Sequence, residues 1–518
     1  MTAAPETPVD VLAAHAHATP GKAAIVDDAG TVAFGQLNET VNRLAHGLRA
    51  HGIGAGDRAV WCGPNSREVL TFLHAARKIG LLAVPLAYRF AADEMHYVID
   101  DSQAALVVVD AEQAGRIAQI RAALPGVRHV VVHGGQPFDG ALAWADVLAA
   151  GRPQEPPAPP ADGVGGTMIY TSGTTGRPKG ALRTRSDPAM TAALVETLRL
   201  RPGEEVHLTT GPLYHSGPLA WASLNHALGG TIVLMRRFDA ARWLDLVREH
   251  RVTNTFTAPT PLKRIVSLPA EVLGRADLSS MRSLVVNAAP MPYALKREVI
   301  ATLGDGFLFE IYGSTELGVD TVLPPEDQLR KPGSCGRPVP GVEVLVLGED
   351  GAPAAPGMPG ELYVRSSTTY EGYHRRGPVE QRDGGWKTVG DVAHLDDEGY
   401  LHICDRRNDM IITGGMNVYP AEIEAVLHAH PDVGDAAVFG VPSAEWGEAV
   451  HAVVVPRPGR TLDLAALDAH VRRHLAGYKC PRSWTERAEL PRTESGKLLK
   501  RALRAEHAAS PHGQESRR

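Results

Sequence analysis

Residues 168–180 read Met168-Ile-Tyr-Thr-Ser-Gly-Thr-Thr-Gly-Arg-Pro-Lys-Gly180, a short apolar run that empties into a loop of hydroxyls and glycines closed by a lysine. Met168 to Tyr170 reads as the end of a buried strand. Gly173 and Gly176 let the backbone turn so that several N–H groups converge on an anion. Thr171, Ser172, Thr174 and Thr175 add hydroxyl donors, and Lys179 adds a mobile charge suited to a polyphosphate. No Gly-x-x-x-x-Gly-Lys-Ser/Thr string can be laid over the stretch, so a P-loop nucleotide hydrolase is excluded. The lesser reading, from composition alone, is a mobile surface loop.

The chain on either side alternates strand and helix. Leu37, Val41, Leu44 and Leu48 recur as on the buried face of a helix, which predicts a helix over 34–50 stopped by Gly52 and Gly54. Strands are predicted at 58–62, 81–85, 105–109 and 129–132, with helices at 66–79 and 92–101. Continuous Val, Ala and Leu in the strands indicate a parallel sheet covered on both faces. The Pro-rich segment 151–163 reads as a stiff connector, either dividing two domains or making a surface excursion before the loop. Beyond the loop, strands at 205–209, 230–235, 253–257, 283–286 and 307–312 alternate with helices at 188–198 and 240–250. From Gly341, short strands at 342–347, 360–365 and 394–404 predict a small β-rich subdomain. A compact α+β unit follows, with helices at 421–428 and 464–475 and strands at 435–439 and 449–455. Residues 505–518 have little to bury and are expected to be disordered.

The 518 residues are 44% hydrophobic and 22% charged with a net charge of -6, an ordinary soluble composition too long for one core. That balance gives no support for nucleic acid or an anionic membrane as partner. Cys62, Cys335, Cys404 and Cys480 are far apart and form no C-x-x-C pair, so neither a zinc site nor a disulfide framework is expected. The N-terminus carries no basic segment followed by an apolar core, and no apolar run is long enough to span a bilayer. A cytoplasmic location is the expectation.

Four blocks in order resemble the AMP-forming acyl-CoA synthetase superfamily, the adenylate-forming or luciferase-like enzymes. They are 168–180, Ile311-Tyr-Gly-Ser-Thr-Glu316, Asp391 with Asp405-Arg-Arg-Asn-Asp409, and Pro491-Arg-Thr-Glu-Ser-Gly-Lys497. The resemblance covers nearly the whole chain. It implies an α/β fold with a large N-terminal domain of layered subdomains, one of them small and β-rich, plus a smaller mobile C-terminal α+β domain. The implied boundaries are 1–405 for the AMP- and acyl-binding domain, 406–409 for a hinge, 410–507 for the C-terminal domain and 508–518 for a tail.

By the same resemblance, Thr171, Ser172, Gly173, Thr174, Thr175, Gly176 and Lys179 embrace the β- and γ-phosphates of ATP. Tyr312, beside Gly313, stacks on adenine; Thr315 binds a phosphate oxygen and Glu316 holds Mg²⁺. Asn287, Ala288, Ala289 and Pro290 form the adenine-side loop, altered at Asn287 where glycine is usual. Asp391 receives the ribose hydroxyls, two adjacent donors on a two-oxygen acceptor. Arg406 holds ribose or phosphate, and Asn408 falls at the hinge. Lys497 reaches the α-phosphate and the carboxylate during adenylation. Gly414, Gly415 and Trp446 contact CoA, while Cys480 stands where an arginine contacts the 3′-phosphate. His215 lies between the acyl pocket and the thiol channel. Without the motifs, Tyr312 would read as core, Glu316 as a helix cap, His215 as a satisfied histidine, and the basic residues as solvated.

Gly217, two residues after His215, is small where aryl-acid ligases often carry bulk. It is expected to leave room for a medium or long fatty acid or a bulky arylalkyl acid, with Trp221, Leu224 and residues 257–261 as further wall. Only Lys263 and Arg264 carry charge in these segments, which disfavours a dicarboxylate. The implied activity is ATP-dependent ligation of a carboxylate to CoA through an acyl-adenylate, releasing AMP and pyrophosphate. The alternative is an adenylation enzyme that loads a phosphopantetheine carrier protein. A luciferase-like oxygenase shares the motifs, and a non-catalytic nucleotide sensor is opposed by Lys179, Glu316, Asp391 and Lys497. A homodimer stays open.

Overall fold

The computed structural model describes residues 10–159, 165–171, 178–376, 381–406, 409–413, 416–443, 445–492 and 498–509. Ser172, Gly173, Thr174, Thr175, Gly176, Asn408, Gly414, Gly415 and Lys497 lie outside these residues, and of Arg406 only the backbone is described.

Two large sheets form the N-terminal domain. One has eight strands, and its parallel centre runs Gly166–Thr171, Leu82–Leu86, Arg58–Cys62, Leu106–Asp110, His129–His133. Leu106–Asp110 is buried at every position, which is why its sequence shows no polar alternation. The second has nine strands, with Leu308–Ser314, Ser283–Val286, Asn254–Thr257, Val206–Thr209 and Thr231–Leu234 parallel in that spatial order. The helices that cover these sheets follow local rules. Arg67–Ile79 is capped by Ser66, whose side chain accepts from Val69 N–H, and ends on Gly80 in the left-handed region at φ 74°.

Glu343–Leu347, Gly360–Arg365, Asp391–Leu395 and Leu401–Arg406 make the expected β-rich unit, a four-stranded antiparallel sheet. The small C-terminal domain packs Pro420–His428 and Leu464–His474 on a sheet built around Val433–Ser443 and Gly447–Pro456. It has its own core, including Ile423, Leu427, Val450 and Leu467.

The Pro-rich segment is an excursion and not a domain divider. Gly166–Thr171 re-enters the sheet beside Leu82–Leu86. On the way, Glu155 accepts hydrogen bonds from Asn38, Asn42 and Lys78. Several helices were not predicted, among them Ala111–Ile120, Ser216–Ala227, Pro259–Val266 and Tyr293–Leu303. Pro259 and Pro261 read as loop residues, yet Pro259 is the first helical position, where a missing N–H costs nothing. The expected disordered start at 505 is also corrected. Lys500–Ala509 is helical and buries Leu503, because its apolar stripe docks on the C-terminal sheet.

Candidate active site

Loops at the C-terminal ends of the parallel strands converge on one cavity of about 2340 Å³. At one end of it, Gly166–Thr171 and Lys179–Arg183 form an antiparallel hairpin in which Thr171 pairs with Lys179. The hairpin's two ends are thus set side by side by the ladder. Across from them, Glu316 is 8% exposed, and its Oε1 accepts from Thr171 Oγ1 at 3.0 Å and from the Tyr373 hydroxyl at 2.9 Å. Lys179 Nζ lies 5.4 Å from the centre of the Tyr373 ring. Thr315 Oγ1 is 3.0 Å from Ser216 Oγ.

The turn carrying Thr315 and Glu316 is pinned from below by Arg183. Its guanidinium donates to Thr315 O at 2.8 Å and to Thr368 O at 2.7 Å. Gly313 is obligatory here, since a Cβ at that position would lie 2.0 Å from Gly318 O. Asp320 is fully buried near Arg183 and Asp391, and neither of its oxygens has a hydrogen-bond partner among the described residues. Burial therefore raises its carboxyl well above the usual range.

Thr171, Lys179, His215, Ala288, Gly313, Thr315 and Glu316 all line the cavity. Tyr312, Ala289, Pro290, Asp391 and Trp446 are not part of its wall. Tyr312 donates its hydroxyl to Asp391 Oδ2 at 2.5 Å, tying the adenine and ribose candidates together. Desolvation, reinforced by Asp391, holds the Tyr312 phenol well above its ordinary range.

The altered adenine-side loop has a definite geometry. Asn287 N–H donates to Thr257 O at 3.1 Å, the Asn287 side chain accepts from Ala288 N–H, and the left-handed φ of 74° falls on Ala288. Trp446 lies in the C-terminal domain with the Arg482 guanidinium 4.2 Å from its ring centre. Cys480 is buried in that domain's core, which removes it from any contact with a soluble ligand.

His215 closes a loop ending at the first turn of Ser216–Ala227. The ring is half-buried, but its Nε2 is sealed and has no partner among the described residues. Burial pushes its pKa down to about 4, so the imidazole is neutral.

The surroundings of Gly217 depart from expectation. A Cβ on Gly217 would lie 2.4 Å from Phe256 Cζ and 2.5 Å from its Cε1. Gly217 lines the cavity, but the space a side chain there would take is filled by the Phe256 ring. Phe256 in turn lies against Trp221, with ring centres 4.7 Å apart. Nothing in the strand 253–257 distinguished Phe256 from a core aromatic. Arg183 and Tyr373 were likewise unpredicted, since both act through partners remote in sequence.

The cavity is also more cationic than its sequence segments suggested. Arg89, Arg185, Arg236, Arg237 and Arg264 line it, and Arg236 and Arg237 are paired with Glu112. The argument against a dicarboxylate, which rested on a lack of charge, does not survive.

A Gly-Thr-rich hairpin facing a buried glutamate at the strand ends of a two-sheet α/β domain, followed by a small α+β domain, defines a class of nucleotide-activating ligases. The chain belongs to the AMP-binding enzyme family: that family's model matches residues 12–374, and the model of the AMP-binding enzyme C-terminal domain matches 422–497. It is an AMP-forming acid–thiol ligase. It is 37% identical over 496 residues to the feruloyl-CoA synthase of an Amycolatopsis species, covering 94% of this chain and 96% of that one. Identity is 35% with the indoleacetate–CoA ligase of Aromatoleum aromaticum, over 95% of this chain and 96% of that one. The ATP-bound crystal structure of MatB from Rhodopseudomonas palustris superposes with a TM-score of 0.86 at 32% identity, covering 96% of this chain and 98% of MatB. Ligases of this family use ATP and CoA. Among the described residues, no helix is long and apolar enough to cross a membrane.

Proposed function

We propose that this protein joins an arylalkyl or arylalkenyl carboxylic acid to CoA through an acyl-adenylate. The observation that carries the substrate class is the aromatic wall of Trp221 and Phe256 at the acyl end of the cavity. Flat rings stack there with an orientation that a saturated chain cannot exploit. The names of the feruloyl and indoleacetate ligases are in keeping with this reading.

In the first step a carboxylate oxygen attacks the α-phosphorus of ATP, and the bond to pyrophosphate breaks. In the second the CoA thiolate attacks the acyl carbonyl, and AMP leaves. Thr171, Lys179 and the loop 172–176 hold the β- and γ-phosphates. Lys497 bridges the α-phosphate and carboxylate, acting by placement and charge. Tyr312, with the loop 287–290, takes adenine, and Asp391 with Arg406 takes ribose. Neutral His215, at the head of Ser216–Ala227, sets no charge against the incoming carboxylate. Gly414, Gly415 and Trp446 serve the thiol substrate, with rotation about 406–409 between the steps.

Magnesium fits Glu316. Oε1 takes both hydroxyls, which leaves Oε2 as a hard oxygen donor, and no group of three or more His, Cys, Asp or Glu forms a closed cage among the described residues. The ion would neutralise the phosphate charge.

The test is a panel of acids assayed for AMP release with and without CoA. Aryl-propenoic and aryl-acetic acids should exceed saturated acids of equal length in kcat/KM. A preference for octanoate or dodecanoate would replace the arylalkyl reading with the fatty-acid one.

A further inference from the structure

Lys387 is a buried cation with no ion-pair partner among the described residues. It is 8% exposed, and its Nζ donates to two neutral oxygens, Thr369 Oγ1 and Tyr370 O, each at 2.8 Å. Glu371, the carboxylate whose charge acts on it, is taken up by the N–H groups of Thr184 and Arg185 at 3.1 Å each. Withdrawing an ammonium from water against neutral acceptors alone is costly. The cost marks the segment it holds as one whose place matters.

That segment grips Glu316 twice. Tyr370 N–H donates to Glu316 O at 2.7 Å, and the Tyr373 hydroxyl donates to Glu316 Oε1 at 2.9 Å. The two tyrosine rings pack edge to face with centres 5.1 Å apart, so one moves with the other. Gly372 and Tyr373 also pair with Leu182 and Ala181, the outgoing strand of the phosphate hairpin. Lys387 itself is rooted elsewhere. Its backbone exchanges two hydrogen bonds, of 2.8 and 2.9 Å, with Val364 of the strand Gly360–Arg365. Its side chain therefore ties the small β-rich sheet to the segment that holds both the backbone and the carboxylate of Glu316.

We infer that Lys387 is a positioning residue for Glu316, holding residues 369–373 so that the carboxylate stands ready for the magnesium ion of MgATP. Lys387 is not part of the cavity wall, whereas Tyr370 and Tyr373 are. It acts through those two residues and not on the nucleotide. With the segment loosened, Glu316 Oε1 keeps Thr171 as a donor and loses its hold from Tyr373. This inference rests on the reading of Glu316 as the ion's ligand and adds the residue that sets its place.

The discriminating experiment titrates the full-length protein with ATP in a calorimeter, once with magnesium and once with EDTA. Lys387→Met keeps the aliphatic stem and removes the donors. It should weaken binding of MgATP by about tenfold, the worth of a hydrogen bond from a charged group, while metal-free ATP binds as in the wild type. Amide hydrogen exchange at Tyr370, whose N–H is held by Glu316 O, should quicken by about tenfold or more. A merely structural lysine would lower Tm without separating the two forms of ATP. Equal weakening of both forms, no weakening of either, or unchanged exchange at Tyr370 would overturn the inference while leaving the ligase reading intact. Should Lys387→Met fail to fold, Thr369→Val decides: loss of one acceptor should give the same split at about threefold, and no split overturns the inference. A wild type that binds ATP no more tightly with magnesium than without it would overturn the Glu316 reading as well.

Discussion

The Phe256 ring stands where a side chain at Gly217 would begin, with its Cζ 2.4 Å from the place of a Cβ. The two residues thus divide one volume between them. Gly217→Ala should push the ring off Trp221 and cost about 1–3 kcal/mol, the usual range for overpacking. Phe256→Leu should relieve it, so the double variant should be more stable than the sum of single effects allows. Urea unfolding of the four proteins measures this, and strict additivity would show that the contact carries no energy.

Across from the hairpin, Glu316 Oε1 is shared by Thr171 and Tyr373. Glu316→Gln should raise the magnesium concentration for half-maximal pyrophosphate release by about tenfold or more, since an anionic oxygen ligand is lost. Tyr373→Phe removes one of two donors and should have the smaller effect. A magnesium titration that both variants leave unmoved would place the ion elsewhere.

Tyr312 and Asp391 form one unit through a 2.5 Å hydrogen bond. Tyr312→Phe removes this hydrogen bond from Asp391, and the KM for ATP should rise by about tenfold, the worth of one hydrogen bond to a charged group. The KM for the acid should hardly change. An effect on the acid alone would separate this pair from the nucleotide.

Buried histidines make the fold acid-sensitive. Arg77 Nη2 lies 3.1 Å from His74 Nδ1, His74 Nε2 lies 2.8 Å from His226 Nδ1, and His226 Nε2 lies 3.0 Å from Ala24 O. The carbonyl needs a donor at His226 Nε2, so the proton positions run down the chain from Arg77 and leave both rings neutral. Burial depresses His226 and His207 from 6.5 to about 4. Between those values the unfolded chain binds two more protons there than the folded one. Stability should therefore fall as pH drops from 6.5 toward 4, by about 2.7 kcal/mol per pH unit from these two residues at mid-range. Denaturation midpoints that stay level between pH 7 and pH 5 would contradict the neutral chain.

How much of this was legible in the sequence depended on whether a residue acts locally. Strand Leu106–Asp110 and helix Arg67–Ile79 could be read because period and caps are properties of a few neighbouring residues. The motif blocks singled out Thr171, Lys179 and Glu316, which meet at the cavity, whereas Tyr312 stands off its wall, bonded to Asp391. The Gly217 expectation failed because its neighbour Phe256 is 39 positions away on another strand, so the vacancy seen in sequence is occupied in space. Arg183 and Tyr373 escaped for the same reason. The missed helix Pro259–Val266 followed from treating proline as a breaker at a position that tolerates it.

The central claim is that the adenylate is passed to CoA. Enzyme, magnesium, ATP and an aryl-propenoic acid would be mixed without thiol, quenched to quantify acyl-adenylate, then chased with CoA. The account predicts an adenylate that accumulates to the order of one per enzyme, then converts to acyl-CoA with an equal yield of AMP. An adenylate that persists in the presence of CoA but is discharged by a phosphopantetheinylated carrier protein would contradict it.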